Sequence, residues 1–189
     1  MRATDDPQVD SQKQWRTQGA YGVFKRPDDY TLRLGNVSGD FSSYSLSSSA
    51  NVGAQLTKTL GGKNPFKEMQ IYLARPNRHL ESTTFERRVY GMRMSGLKME
   101  SWEAMQKLGV SYVLTQDVVD SIKDTNARPA SAVENNVVSV DGSFKFTDDA
   151  TVSGEWAYSK NDPNTQRDLT DITRGHAYKL NGTYKAASR

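Results

Sequence analysis

The chain has 189 residues, 25 basic against 22 acidic side chains for a formal net charge of +3, 35% hydrophobic residues and no cysteine. That length suits one domain and is short for two. The missing cysteines exclude disulfide frameworks, Cys-ligated zinc, iron–sulfur clusters and cysteine nucleophiles, and no window approaches the roughly 18 apolar residues of a membrane-spanning helix. Charges are spread along the chain without a basic stripe, which argues against a nucleic-acid partner. Polarity carried by Ser, Thr, Asn, Gln and Gly rather than by charge blocks is not the composition of a disordered tail.

Residues 1–19 read as a polar N-terminal leader, and residues 20–189 as one run of alternating segments. The N-terminus, Met1 to Pro7, has no apolar stretch behind Arg2, so no secretory signal is present in it. A first strand is expected near Ala20 to Phe24. Tyr30, Leu32 and Leu34 then oppose Thr31 and Arg33, and Val52, Ala54 and Leu56 oppose Gln55 and Thr57. Met69, Ile71 and Leu73 oppose Gln70 and Tyr72; Tyr90, Met92 and Met94 oppose Gly91 and Arg93. Leu108, Val110, Tyr112 and Leu114 alternate with Gly109, Ser111 and Val113. From Val138 to Phe146 one face carries Val138, Val140, Gly142, Phe144 and Phe146, the other Ser139, Asp141, Ser143 and Lys145. The turn Thr147 to Ala150 leads to Val152, Gly154, Trp156 and Tyr158, and the last segment sets Tyr178, Leu180, Gly182 and Tyr184 against Lys179, Asn181 and Thr183. Period-two alternation of this kind marks half-buried strands, so the expectation is an all-β, antiparallel up-and-down meander of about nine strands.

Two stretches also fit a helix. Trp102, Met105 and Leu108 recur every third residue but are read as the start of a strand, and Asp117 to Asp124 reads as a short loop helix with Asp117, Asp120 and Asp124 on one face. Connection lengths add a further pattern. Short ones (Lys25 to Asp29, Gly61 to Lys67, Gly96 to Glu100, Thr147 to Ala150) alternate with long ones (Asn36 to Ala50, Pro76 to Arg87, Gln116 to Asn135, Lys160 to Gly175). In a meander, alternate connections fall at the same end, so one end should hold short turns and the other long loops.

Segments such as Tyr30-Thr-Leu-Arg-Leu-Gly-Asn, Arg88-Val-Tyr-Gly-Met-Arg-Met and Phe144-Lys-Phe-Thr-Asp-Asp-Ala-Thr-Val-Ser-Gly-Glu-Trp-Ala, set in this short–long loop order, resemble the outer-membrane β-barrel proteins of Gram-negative bacteria. The resemblance runs over about Ala20 to Ala186 and singles out no subfamily. It implies a transmembrane barrel or part of one, contact with outer-membrane lipid, and a porin-like, transporter-wall or envelope-scaffold role. Members of this class carry a secretion signal and end in a strand with a terminal aromatic residue; with neither present and an odd strand count, the chain is expected to be a truncated segment of a longer barrel.

If apolar faces meet lipid, Tyr30, Tyr90, Trp102, Tyr112, Trp156, Tyr158, Tyr178 and Tyr184 become candidate interfacial anchors, and Lys58, which continues the apolar face of its strand, must lie near the interface. The opposite faces then line an interior with Arg33, Gln55, Gln70, Arg93, Lys145, Glu155, Lys179 and Asn181. Their basic excess would favour anionic or polar solutes in an open pore; in a plugged lumen the same charges would pair across strands. A soluble secreted β-sandwich binding module, for example for carbohydrate, is the alternative, in which the apolar faces bury one another. His79 and His176 read as loop or loop-edge residues without a second histidine at ligand spacing. No metal, cofactor or catalytic grouping is legible, so neither a cofactor nor an enzyme is expected.

Overall fold

The computed structural model describes residues 21–46, 49–61, 64–75, 85–97, 105–122, 131–166 and 172–185. The expected leader, Trp102, His79 and Asp124 lie outside these residues. Nine strands form one antiparallel sheet in sequence order: β1 (Tyr21–Arg26), β2 (Tyr30–Gly39), β3 (Ser49–Thr59), β4 (Glu68–Arg75), β5 (Glu86–Ser95), β6 (Met105–Val118), β7 (Glu134–Lys145), β8 (Ala150–Asp162) and β9 (Thr173–Tyr184). The all-β meander expected from alternation is the fold.

Most strands run longer than their alternating cores, and this changes the connections. β2 continues to Gly39 and β3 begins at Ser49, so the connection expected from Asn36 to Ala50 narrows to 40–48. The ends contrast sharply at 27–29 and 146–149 against 119–133, and little between 60–67 or 96–104 and 40–48 or 76–85. Backbone pairing extends past the hydrophobic pattern because each added ladder bond needs only a neighbouring strand, not an apolar side chain. The expected helix near Asp117 is a three-residue 3-10 turn, Val119–Ser121. Asp117 is the penultimate residue of β6, where Arg87 of β5 grips its carboxylate with Nε at 2.7 Å and Nη2 at 3.0 Å. Asp117 and Asp120 therefore do not share a helical face.

The turns use chemistry that tolerates them. Asp28 takes a φ of 61° behind Pro27, and the Asp29 amide donates to the Arg26 carbonyl at 3.2 Å. At the β7–β8 turn, Lys145 Nζ donates to Asp148 at 2.6 Å, and this bond holds the exposed Asp148 carboxyl below its usual range.

Register shows a stagger. One continuous cross-strand row runs Tyr30, Lys58, Met69, Met94, Val110, Val140, Trp156 and Tyr178. It lies at the first or second residue from the short-turn end in β2 to β5 and at the sixth or seventh in β6 to β9. The strands are thus displaced in one sense, mostly between β5 and β6, the kind of stagger associated with strands tilted to a barrel axis. Within the described residues the sheet remains open, with β1 and β9 at its edges.

The two faces differ in composition and burial. One carries the rows Leu32–Leu56–Ile71–Met92–Tyr112–Val138–Tyr158 and Leu34–Ala54–Leu73–Tyr90–Leu114, none of whose members is buried: Leu73 is 47% accessible, Tyr112 44% and Met92 40%, and the others are exposed or half-buried. The other carries Gln55, Ser111, Ser139 and Glu155, accessible to 9% or less. The main apolar cluster, Val37, Phe41, Tyr72, Ala74, Val89 and Val113 with Leu46 against it, also lies on this second face. A smaller cluster of Phe85, Ile122 and Ala132 with Val119 anchors the 119–133 connection at the other end of β5.

Candidate functional site

The polar face is covered by the start of the β2–β3 connection, Asp40 to Leu46, which turns inward as a strap. It closes on itself through the Phe41 amide, which donates to the Leu46 carbonyl at 2.8 Å, and through the Ser42–Leu46 bridge. Phe41 is the anchor, edge-on to Tyr72 with ring centroids 6.3 Å apart. Its seat exists because β5 carries glycine there: a Cβ on Gly91 would stand 2.5 Å from the Phe41 ring. Beyond the anchor the strap reaches strands distant in sequence. The Ser42 and Ser139 hydroxyls lie 3.0 Å apart on β7. The amides of Ser43 and Tyr44 donate to the two Glu155 carboxylate oxygens on β8 at 3.1 and 2.9 Å. On β9, the Tyr44 hydroxyl donates to the Tyr178 carbonyl and Lys179 Nζ to the Ser43 hydroxyl, both at 3.2 Å.

These contacts require a curved sheet. The chain from Gly39 to Ser43 extends at most about 14 Å, and the Glu155 side chain with its hydrogen bond adds several ångström. Along a flat sheet β2 and β8 would lie about 29 Å apart. The strap spans the chord of an arc, so the polar face is concave and the apolar face convex.

All the interior candidates from the sequence lie on this concave face, and their registers bring them into pairs: Arg33 opposite Gln55, Gln70 opposite Arg93, Glu155 opposite Lys179. Most are already engaged. Arg33 Nη1 donates to Gln55 Oε1 at 3.2 Å and Gln70 Nε2 to Glu68 Oε1 at 2.7 Å. Arg93 forms a bidentate pair with Asp141 two strands away, Nη2 to Oδ2 at 2.8 Å, and also donates to the Ser111 hydroxyl. Gly109, between them, leaves space for this guanidinium: a Cβ there would overlap it. Lys145 turns to Asp148 at the end of its strand. Lys179 and Asn181 are exposed at the β9 edge.

Tyr30, Tyr90, Tyr112, Trp156, Tyr158, Tyr178 and Tyr184 all stand on the convex face. Tyr30 opens β2 and Tyr184 closes β9, whereas Tyr90, Tyr112 and Trp156 lie mid-strand. Lys58 falls next to the end of β3. His176 is not at a loop edge: β9 begins earlier than its alternating core, and the imidazole lies on the convex face among Trp156, Tyr158 and Tyr178, with centroids 6.0, 5.1 and 6.5 Å away.

Sequence reasoning missed the strap, the Arg93–Asp141 pair and Lys107. Asp141 and Lys107 carried a usable signal, since alternation places Asp141 on the polar face of its strand. The strap carried none, because its partners lie far along the chain. No protein-family model, curated protein or solved structure matches this chain.

The Arg93–Asp141 pair carries its own prediction. The Arg93 side chain is only 13% accessible, so Asp141→Ala leaves a nearly buried guanidinium without its counter-charge. Denaturant unfolding should register a loss of about 3 kcal/mol, most of it recovered when Arg93→Met is added. A loss within 0.5 kcal/mol would mean that water already compensates the pair.

Proposed function

We propose that the chain forms wall of a Gram-negative outer-membrane β-barrel, convex face to lipid and concave face to an interior that the Asp40–Leu46 strap narrows for small polar or anionic solutes. One observation carries this reading: a broad apolar face with no buried member in its central rows backs a concave face with buried hydroxyls and amides and a part-buried ion pair. Such a face costs free energy in water and stabilises in hydrocarbon. From Val138 to Phe144 on β7 and from Val152 to Tyr158 on β8 the apolar run is about 20 Å along the strand, close to the height of an outer-membrane apolar band. Asn136, Lys160 and Arg174 bound it on the long-loop side.

The stagger of the register supports closure into a barrel, and the open edges of β1 and β9 demand it, since lipid cannot satisfy unpaired backbone groups. Closure takes further strands, from a longer chain or from a second copy. A β-sandwich is less well supported, because no second sheet covers the apolar face among the described residues.

Refolding separates the two. The expected result is that cooperative β-structure forms in detergent micelles or lipid vesicles and not in plain buffer. A monomer that folds cooperatively in buffer would sink the membrane reading. Planar-bilayer recording then distinguishes a conducting wall from a scaffold.

A further inference from the structure

Between the strap and strands β6 to β9 lies a cavity of about 260 Å³ on the concave face. Its polar lining has three chemistries. Lys107 and Lys179 supply ammonium groups, and neither forms an ion pair among the described residues. Ser43, Ser143, Ser153 and Asn181 supply hydroxyl and amide groups, and Asp141 and Glu155 supply carboxylate oxygens. Asp141 is neutralised by Arg93, while Glu155 is held by two backbone amides and keeps its charge. Two lysines against one uncompensated carboxylate leave one positive charge in excess.

We propose that this cavity is a solute-binding subsite for a small hydroxylated monocarboxylate, of the size and chemistry of a sugar acid. The proposal rests on the concave face being the interior of a barrel, as argued above. One carboxylate on the solute balances the excess charge and accepts hydrogen bonds from Lys107 and Lys179. Solute hydroxyls donate to the free lone pairs of Asp141 and Glu155 and exchange hydrogen bonds with the serines and Asn181. A neutral sugar leaves the lysines unanswered, and a phosphate dianion overshoots the charge and faces two carboxylates. The volume, just below the range of drug-sized sites, fits a solute of this size.

The test is calorimetric titration of the full chain, folded in detergent micelles, with gluconate, glucose and inorganic phosphate as probes. Gluconate should bind, with glucose and phosphate each about ten-fold weaker. Lys107→Gln and Lys179→Gln, both at exposed side chains, should each weaken gluconate about five-fold and shift glucose far less. Equal affinity for gluconate and glucose, no binding of gluconate, or affinities indifferent to both lysine variants would overturn the subsite. Insertion of the same preparation into lipid vesicles is scored separately. Insertion without gluconate binding removes the subsite and keeps the barrel; gluconate binding by a chain that never inserts removes the barrel reading and with it the assignment of this cavity to a lumen.

Discussion

Arginine in place of Met92 or Val110 will destabilise the vesicle-folded protein by about 2–4 kcal/mol, read from urea unfolding in lipid vesicles. Both side chains stand inside the apolar runs of their strands on the convex face and are at least one-third exposed. On a soluble protein, substitutions at such positions stay within about 0.5 kcal/mol, because the new charge remains hydrated. In a bilayer the guanidinium would sit near the midplane, and the loss is the cost of moving it out of water. Arginine at Lys58, next to the end of β3, provides the internal control and should change little, since that end of the belt would lie at the interface. A flat response at Met92 and Val110 would show that water covers this face.

Removing the strap's anchor gives the second large effect. Phe41 is 4% accessible and, with Leu46, holds the segment to the wall. Phe41→Ala should cost about 3 kcal/mol, the lower end for a buried phenylalanine because the vacated seat can hydrate from the interior. The strap should then detach before the sheet unfolds, so protease cuts between Asp40 and Leu46 while the strands stay protected; if the proposed pore reading holds, bilayer conductance rises as well. Gly91→Leu tests the same seat from the other side: it displaces the ring without removing it, and should open the strap equally. A strap that resists protease in both variants would mean that its hydrogen bonds to Glu155, Ser139 and Tyr178 hold it unaided.

The difference between these two predictions reflects what could be read without coordinates. The convex face was legible because β-strand side chains alternate strictly: Leu32, Leu56, Ile71 and Met92 each declare their face within their own segment, and antiparallel register joins them into a row. The concave-face set was legible for the same reason, and every interior candidate does share that face. Their engagement was not. Arg93 reads as a free cation from its own strand, and only the pairing of β5 through β6 to β7 brings Asp141 to it. Lys145 likewise loses its place deep in the interior once the turn folds Asp148 back against it.

By itself, then, the chain's alternation determined strand number, fold class and the sorting of side chains into two faces, because period two is a local property of extended backbone. Tertiary structure decided which face is concave, which charges are spent on one another, and that a polar-looking loop lies across the concave face. Those outcomes depend on curvature and on contacts such as Ser43 with Glu155 or Tyr44 with Tyr178, whose partners are separated by more than a hundred residues. Local sequence constrains the direction of a side chain; only closure of the long-range register brings its partner within hydrogen-bonding distance.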